Sequence, residues 1–393
     1  MLTFDKPFTQ QEPIPEEGIA RALDIMRSGR IHRYNLAGDE KGEVAALEQE
    51  YAKWQGQDYC LATTSGGTAI QLALRAAGVT QGDLVLANAY TLAPVPGAIY
   101  NVGGKAILVE IDQDYHIDLA DLEAKAATTG ARFLLLSHMR GHIADMDAIM
   151  KIAHQYNITV IEDCAHTMGA KWRGIRSGNF GHVAAFSTQT YKHMNSGEGG
   201  LLTTNDPLIA AKAIIMSGSY MLYERHGARP DAEVFLSIRT HMPNFSCRLD
   251  HLRAALIRSQ MAVLDENIER WNRLYQKLDQ NLRHIDGVSL PQRAQEEFYV
   301  GSSIQFRVDK LGTSAIPEFL QRCGARGVDL KWFGADRPVA FTSRYDSWEY
   351  LGEQPELPAT KHALDKTIDM RVPLTFDQDD CDIITQIIES ELA

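Results

Sequence analysis

The chain has 393 residues, of which 45% are hydrophobic and 23% are charged, so it can bury a sizeable core and hold a deep site. Its 39 basic and 51 acidic residues give a formal net charge of -12, which disfavours nucleic acid as a partner because phosphate backbones are also anionic. No apolar run approaches ~18 residues and no basic segment leads into an apolar one near Met1, so we expect neither a membrane partner nor a signal peptide.

The cysteine content indicates the cellular compartment in which the protein is expected. There are five cysteines, an odd number, and no two of them form a CxxC pair. This usage is typical of free thiols in a reducing compartment rather than of a disulfide framework. We therefore expect a cytoplasmic protein.

The first two thirds of the chain alternate between strand and helix patterns. Two helices are predicted near 16–28 and 42–53. Strands are then predicted at 84–87, 106–111, 133–136, 158–161, 183–186 and 200–203, with helices at 67–77, 119–127 and 145–156. Several strand runs are continuously apolar, as expected for strands buried on both faces. The alternation predicts right-handed βαβ units, and hence an α/β fold with a mostly parallel central sheet flanked by helices.

The pattern changes near residue 250. Residues 249–282 form one long predicted helix with few breakers, followed by a strand at 304–308 and helices at 314–323 and 379–392. We therefore predict a large domain at 1–250 that includes the N-terminal helices. A smaller C-terminal α/β domain at 251–393 would begin with the long connecting helix.

Three segments of the large domain carry candidate chemistry. The first is Thr63-Thr-Ser-Gly-Gly-Thr-Ala-Ile70, which leads into a predicted helix. Small residues let backbone N–H groups approach an anion, and a helix start adds a favourable dipole. Taken alone, the segment fits equally well a serine-capped helix start.

The second segment is Val160-Ile-Glu-Asp-Cys-Ala-His166. It places Asp163 at the carboxyl end of a strand, where open α/β sheets bind ligands, and His166 follows three residues later. Taken alone, an aspartate in this position is more often a helix cap.

The third segment runs from Phe186 to Gly200 and contains Lys192, between a strand and the turn Gly197-Glu-Gly-Gly200. A partly desolvated lysine can hold an aldehyde as a Schiff base, and a carboxylate such as that of Asp163 can face a pyridinium nitrogen. Taken alone, Lys192 would be assigned to a surface loop.

Jointly, these segments resemble the sugar aminotransferases of the DegT/DnrJ/EryC1/StrS family, which are pyridoxal-phosphate enzymes of fold type I. Glu162-Asp163-Cys-Ala-His166 is similar to the family's Glu-Asp-Ala-Ala-His/Gln segment, and Ser65-Gly-Gly-Thr-Ala69 to its phosphate turn. Phe186-Ser187, Lys192 and Gly197-Glu-Gly-Gly200 are similar to its lysine segment. With Gly141-His-Ile-Ala-Asp-Met146, the resemblance extends over nearly the whole chain.

The resemblance implies a seven-stranded central sheet, pyridoxal 5'-phosphate as cofactor, and a homodimer with shared active sites. It assigns two catalytic residues: Lys192, which would bind the cofactor aldehyde and carry a proton, and Asp163, which would pair with the pyridine nitrogen. The implied cofactor-binding residues are Gly66, Gly67, Thr68, Leu92, Asp163, His166, Ser187, Gln189, Lys192, Asn244 and Ser246.

The implied reaction transfers an amino group from glutamate or glutamine to a keto acceptor in a biosynthetic pathway. Some enzymes of this group replace the lysine with histidine and act as sugar dehydratases, so the presence of Lys192 favours amino transfer. Two alternatives stay open: a dehydratase or elimination enzyme with the same cofactor, and a cofactor-binding regulatory protein. The second is disfavoured, because the chain has no appended basic segment.

The chain departs from the family pattern in three places. Tyr90-Thr91-Leu92 carries leucine where the family stacks an aromatic residue on the cofactor. Asn244-Phe-Ser-Cys-Arg248 stands where the family has an asparagine segment that crosses the dimer to the partner's phosphate, and aligns Ser246 with that asparagine. Asp329-Leu-Lys-Trp-Phe333 replaces a segment common in nucleotide-sugar enzymes, so the acceptor stays open among ketosugars, ketocyclitols and other small ketones.

Two other groups of residues are candidates for a functional role. His138, His142 and Asp145 could be metal ligands, but they have no further histidine or cysteine close by, and we predict no metal site. Trp332 and Phe333 could line a substrate pocket, but we favour a place in the core for both.

Overall fold

The protein is described from a computed structural model that covers residues 2–38 and 40–393. Its helices are α1 Glu16–Ser28, α2 Glu43–Gln55, α3 Gly66–Ala77, α4 Pro94–Asn101, α5 Leu119–Thr129, α6 Met146–Gln155, α7 Pro207–Gly218, α8 Ala232–Leu236, α9 His251–Met261, α10 Leu264–Arg283, α11 Ile316–Ala325, α12 Pro358–Leu364 and α13 Gln378–Leu392. Its strands are β1 Tyr59–Thr63, β2 Leu84–Asn88, β3 Lys105–Val109, β4 Phe133–Ser137, β5 Thr159–Asp163, β6 Lys171–Trp172, β7 Ile175–Arg176, β8 Val183–Ser187, β9 Gly200–Thr204, β10 Val288–Ser289, β11 Glu297–Phe298, β12 Ser303–Val308, β13 Lys331–Trp332 and β14 Thr367–Arg371.

A seven-stranded sheet forms the centre of the molecule, in the order β1-β9-β8-β5-β4-β2-β3. Strand β9 runs antiparallel to both of its neighbours, and all the other neighbouring pairs are parallel. The predicted α/β class with a mostly parallel central sheet is therefore confirmed.

Helices cover both faces of this sheet. Along β4, Leu134 and Leu136 enter a core shared with α2, α5 and α6, while Phe133 and Leu135 enter a second core shared with α3, α4 and α7. Because side chains alternate along a strand, two helical layers require apolar residues at every position. This requirement explains why the strand runs are continuously apolar.

Several elements between residues 59 and 236 were not predicted: strands β1, β6 and β7 and helices α4, α7 and α8. Strand β1 pairs antiparallel with β9, so its place depends on a partner far along the chain. Helix α4 contains two prolines and a glycine within Pro94–Asn101, a composition that indicates a loop. Proline is tolerated in the first turn of a helix because the N–H groups there have no intrahelical partner.

The predicted long helix at 249–282 is interrupted. Helix α9 ends at Met261 and α10 begins at Leu264, with Val263 between them at φ -113° and ψ 5°. Asp265 and Glu266 lie in the first turn of α10, where negative charge stabilises a new helix start.

A second sheet, β10-β12-β14-β13, packs with α10, α11 and α13 around a core of its own. The N-terminal residues Phe4 and Phe8 belong to this core, and both pack edge-to-face with Phe376 at ring-centroid distances of 5.1 and 5.0 Å. Phe4 and Phe8 therefore pack with the C-terminal unit, which consists of the second sheet and α10, α11 and α13. The domain boundary at residue 250 stays a prediction.

The structure confirms Phe333 as a core residue, whereas Trp332 is half-buried against the edge of a core. Phe333 is buried and packs edge-to-face on Tyr90 at 5.1 Å. Trp332 packs against the core of the second sheet and donates from Nε1 to the carbonyl oxygen of Asp365 at 2.8 Å.

None of the helices in the described ranges is both long enough and apolar enough to cross a bilayer. All five cysteines are buried and have free thiols.

Candidate active site

A cleft of about 760 Å³ opens at the carboxyl edge of the central sheet. Ser137, Asp163 and Ser187 are the last residues of β4, β5 and β8, so three neighbouring parallel strands deliver their final side chains to this edge. Eight predicted cofactor-binding residues line the cleft: Gly66, Gly67, Leu92, Asp163, His166, Ser187, Gln189 and Lys192.

The start of α3 forms one end of the cleft. The Ser65 hydroxyl caps the helix by accepting the N–H of Thr68 at 3.1 Å, while the N–H groups of Gly66 and Gly67 make no hydrogen bond within the described ranges. A Cβ atom at Gly66 would lie 2.6 Å from the Cβ of Ser187, so only glycine allows the helix start to approach β8 this closely. Free N–H groups at a helix start bind anions such as phosphate.

Thr68 does not line the cleft. Its hydroxyl lies 2.9 Å from Ser65 Oγ and 3.3 Å from Thr64 Oγ1, within the capping turn itself. Its predicted contact with the cofactor stays a prediction, and its observed contacts stabilise the turn that presents Gly66 and Gly67.

A chain of hydroxyl groups fixes the Asp163 carboxylate. Ser137 Oγ donates to Asp163 Oδ2 at 2.8 Å, and the backbone N–H of Ala165 donates to Oδ1 at 3.2 Å. Thr91 Oγ1 in turn donates to Ser137 Oγ at 2.8 Å. All three side chains are buried, so the carboxylate is held in one orientation. Sequence reasoning gave neither Ser137 nor Thr91 a role, although Ser137 directly follows the predicted strand 133–136.

Lys192 is half-buried in the cleft, with its Nζ atom 2.9 Å from His166 Nε2. Burial, followed by the positive charge of Arg140, lowers the pKa of Lys192 to about 7. Burial and the Lys192 cation hold the pKa of His166 well below its ordinary value. The lysine therefore has a substantial neutral, nucleophilic fraction near pH 7, beside a neutral imidazole.

Glu162, the neighbour of Asp163, points away from this chemistry. Its carboxylate accepts the backbone N–H groups of Gly178, Phe180 and Gly181, and its Oε2 lies 3.0 Å from His138 Nε2. The two adjacent carboxylates therefore have different roles: Glu162 anchors the loop 178–181, and Asp163 faces the cleft.

The residues considered as metal ligands have separate partners. His138 pairs with Glu162, His142 Nε2 lies 2.7 Å from Gln305 Oε1, and Asp145 caps α6 by accepting the N–H of Ala148. These contacts favour a structural role for His138, His142 and Asp145. His138 does lie close to Glu162 and Cys164, but all three are buried and the carboxylate is already fully engaged.

Asn244 and Ser246 lie outside the cleft of their own chain and are exposed. Asn244 Oδ1 accepts the N–H of Ser246 at 2.9 Å, and Arg248 Nη2 donates to Ser246 Oγ at 3.1 Å. Ser246 has φ 54°, so this segment forms a tight turn at the surface. Their predicted contact with a partner's cofactor stays a prediction.

The cleft also contains residues that sequence reasoning did not single out, among them Arg140, Tyr191, Phe341, Trp348 and Arg371. Arg140 directly precedes the segment Gly141–Met146, and its positive charge could have identified it as a candidate site residue. Phe341, Trp348 and Arg371 come from the C-terminal third, and only the packing of that part against the large sheet brings them to Lys192.

Comparison with known proteins gives a consistent result. The family model described as "DegT/DnrJ/EryC1/StrS aminotransferase family" matches residues 14–389. The chain is 31% identical to the dTDP-3-amino-3,4,6-trideoxy-alpha-D-glucose transaminase of Streptomyces venezuelae, over 80% of this chain and 76% of that protein. It is 32% identical to a "Pleiotropic regulatory protein" of Geobacillus stearothermophilus, over 69% and 66% of the two chains.

The chain is also 31% identical to the GDP-perosamine synthase of Caulobacter vibrioides, over 62% of each chain. This match therefore spans less than two thirds of that relative's length. Among solved structures, 3-amino-5-hydroxybenzoic acid synthase superposes with a TM-score of 0.83 and 25% identity, covering 99% of both chains. DesV of S. venezuelae superposes with a TM-score of 0.79 and 28% identity, covering 96% of this chain and 94% of that one.

Proposed function

The chain belongs to the DegT/DnrJ/EryC1/StrS aminotransferase family, and on this basis we propose that it is a pyridoxal-phosphate-dependent aminotransferase. It would transfer an amino group from glutamate or glutamine to a small keto acceptor, such as a ketosugar or ketocyclitol, in a biosynthetic pathway. The observation that carries the proposal is the placement of Lys192 and Asp163 in one cleft beside the free N–H groups of α3.

The residues present fit this cofactor. The N–H groups of Gly66 and Gly67 offer donors to its phosphate, and Ser187 Oγ stands directly beside them. Asp163 offers a fixed carboxylate to the ring nitrogen, and Lys192 offers an amine with a pKa of about 7 to the aldehyde. Leu92 supplies an apolar contact where related enzymes use an aromatic ring.

When bound, pyridoxal phosphate supplies an aldehyde that takes up the amino group and a ring that accepts an electron pair. Asp163 would keep a proton on the ring nitrogen, and Ser137 holds Asp163 in position through its hydrogen bond to Oδ2. Gly66, Gly67 and Ser187 would hold the phosphate.

Lys192 moves the proton. With the cofactor bound, Nζ of Lys192 would be placed to take a proton from the donor's Cα atom and to return it to the reacting group. Release of the 2-oxo acid would consume one water, and uptake of the keto acceptor would release one. A positioned general base of this kind contributes about 10²–10⁴-fold in rate. His166, neutral and within hydrogen-bond distance of Nζ, keeps the amine directed into the cleft.

The proposal includes a cytoplasmic homodimer with shared active sites. Asn244 and Ser246 are exposed and lie outside their own cleft, which supports a role toward a partner subunit. Either side chain would complete the donor set around the partner's phosphate.

The test is a donor half-reaction. The purified protein, loaded with pyridoxal phosphate, is mixed with single amino acids in the absence of acceptor, and pyridoxamine phosphate and the 2-oxo acid are measured. We expect both products with glutamate or glutamine, none with Lys192→Ala, and unchanged amounts with the exposed control Lys105→Ala.

Other outcomes would overturn the proposal. Turnover of a sugar substrate without pyridoxamine phosphate would favour the dehydratase alternative. Absence of a half-reaction, together with sequence-specific DNA binding, would favour a regulatory protein. Borohydride fixation of the cofactor on a lysine other than Lys192 would refute the site.

A further inference from the structure

His193 directly follows Lys192 and is buried, with only 5% of its surface exposed. Its Nε2 atom lies 3.1 Å from Ser302 Oγ, and its ring packs edge-to-face on Trp271 with the two centroids 5.2 Å apart. Ser302 directly precedes β12, and Trp271 lies on α10. Both contacts therefore join the segment that carries the reactive amine to the C-terminal unit.

The two partners of His193 are also fixed to each other, through Val372 at the end of β14. The backbone N–H of Val372 donates to the carbonyl oxygen of Ser302 at 3.0 Å. Trp271 Nε1 donates to the carbonyl oxygen of Val372 at 3.0 Å. Because Val372 and Trp271 are buried, these contacts form a closed ring that offers His193 one defined position.

A second attachment holds the same segment two residues further along the chain. Gln260 of α9 accepts the backbone N–H of Asn195 at its Oε1 atom and donates from Nε2 to the Asn195 carbonyl oxygen, both at 2.8 Å. Met194, between the two attachments, is completely buried. The backbone after Lys192 is thus joined to α9 by Asn195 and to the C-terminal unit by His193.

Packing alone does not fix Lys192 on the side of the C-terminal unit. A small cavity of about 30 Å³ is lined by Lys192 together with Ser302 and Arg371, among other residues. A larger cavity of about 260 Å³ is lined in part by Lys192, His193 and Trp271. Protein interiors are otherwise close-packed, so unfilled space here leaves the hydrogen bond of His193 as the contact that sets the position of the segment.

The environment of the Lys192 amine depends on how close it lies to the C-terminal unit. Burial lowers the pKa of Lys192 most, and the positive charge of Arg140 lowers it further. The carboxylate of Asp163 opposes this change, while Arg371 lowers the pKa and Asp369 raises it. Arg371 and Asp369 both lie on β14, so the docking of the C-terminal unit sets part of the burial and part of the charge around the amine.

His193 itself adds no charge to this environment. Burial, followed by the Lys192 cation, lowers the pKa of His193 to about 3, so its imidazole is neutral near pH 7. The remaining titratable groups beside the amine are His166, Tyr191 and Glu198, which line the cleft with Lys192. A substitution of His193 therefore changes the pKa of Lys192 only by moving the amine or by admitting water to it.

We infer that His193 is a positioning residue that holds Lys192 against the C-terminal unit through its hydrogen bond to Ser302. The inference rests on the proposed role of Lys192 and adds to it a residue that does not line the cleft. The imidazole and the hydroxyl come from segments 109 residues apart, so the contact forms only when the C-terminal unit is docked. The amine is then withdrawn from water at the same time as the cleft is completed.

The first experiment measures the pKa of Lys192 directly and needs no cofactor. The full-length apoprotein is labelled with a trace of acetic anhydride from about pH 5 to about pH 11, and acetylation of Lys192 is followed by mass spectrometry. Half-maximal labelling of the wild type should occur near pH 7. His193→Leu and Ser302→Ala each remove one partner of the hydrogen bond, and each should raise this midpoint by at least about one pH unit because the amine gains contact with water.

Two further variants separate the hydrogen bond from packing. His193→Gln places an amide nitrogen near the position of the imidazole Nε2 atom, so it should restore most of the wild-type midpoint. The double variant of His193→Leu and Ser302→Ala should shift the midpoint no further than either single variant, because both remove the same interaction.

The matched control is His251→Leu. His251 is also buried, burial lowers its pKa as well, and its Nδ1 atom lies 3.4 Å from the backbone nitrogen of Val44. It lines neither the cleft nor the two cavities beside Lys192. The variant removes an equivalent imidazole and should leave the labelling midpoint of Lys192 unchanged.

The donor half-reaction gives a second readout, on the cofactor-loaded protein. A rise in the pKa of Lys192 from about 7 to about 8 lowers its neutral fraction at pH 7 from about a half to about a tenth, so His193→Leu should slow the maximal rate about fivefold. The donor concentration for half-maximal rate should change little, because His193 does not line the cleft. Raising the pH to about 8 should recover most of the loss, a response that a merely destabilised protein would not show.

Several results would overturn the inference. An unchanged labelling midpoint in either His193→Leu or Ser302→Ala would do so, as would an equal shift in His251→Leu. A midpoint in His193→Gln as high as that in His193→Leu would assign the effect to packing and not to the hydrogen bond. A wild-type protein whose Lys192 pKa depends on His193 but which performs no half-reaction would refute the proposed function while leaving the positioning role intact.

Discussion

Replacing Ser137 by alanine tests whether the orientation of Asp163 matters for proton transfer. The substitution removes the hydroxyl that donates to Asp163 Oδ2 at 2.8 Å and leaves the carboxylate with the 3.2 Å contact from the Ala165 N–H. A hydrogen bond to a charged group contributes about 1.5–3 kcal/mol, which corresponds to roughly 10- to 150-fold in rate.

The assay is a single-turnover donor half-reaction followed by the absorbance of the cofactor. Because Ser137 acts through Asp163, we expect the maximal rate to fall by this factor while the donor concentration for half-maximal rate changes little. Thr91→Val, which removes only the hydroxyl that donates to Ser137 Oγ, should have a smaller effect.

Ser217→Ala is the control, since its buried hydroxyl donates to the carbonyl of Ile214 at 2.8 Å away from the cleft. An unchanged rate in Ser137→Ala, or an equal loss in Ser217→Ala, would refute the assigned role of Ser137.

Three further predictions concern the same site. The rate of covalent uptake of pyridoxal phosphate by the apoprotein should rise as the pH rises through about 7 and then level off, because burial lowers the pKa of Lys192 from 10.5. A rate that continues to rise up to pH 10.5 would contradict this prediction. Asp163→Asn should slow the half-reaction by at least about tenfold while cofactor content, measured after dialysis, falls less; an unchanged rate removes Asp163 from its role. Mixing inactive Lys192→Ala chains with inactive chains altered at Asn244 and Ser246 should restore activity, since some heterodimers then hold one intact site; verified heterodimers without activity contradict the shared site.

The residues that could be predicted from the sequence are those whose role depends on local backbone. Gly66 and Gly67 start a helix, Asp163 ends a strand, and Lys192 precedes a glycine turn, and each of these positions is set by neighbours in the chain. The same holds for helix α1, predicted at 16–28 and found at Glu16–Ser28.

What escaped prediction depends on contacts between distant segments. Ser137 meets Asp163 only because β4 and β5 pair in the register that sets them side by side. Strand β1 is identified by its pairing with β9, and Arg371 reaches Lys192 only when the C-terminal unit packs on the large sheet. These long-range contacts cannot be predicted from a local sequence pattern, because hydrophobic periodicity shows which face of an element is buried and not which other element covers that face.

The aromatic contact of Phe4 and Phe8 with Phe376 bears on the order of folding during synthesis. Phe4 and Phe8 are synthesised long before their packing partners in β14, α13 and the segment between them. Domains usually fold as they emerge from the ribosome, but this core stays incomplete until Phe376 and α13 have been synthesised. Until then Phe4 and Phe8 lack the apolar partners that bury them in the folded protein.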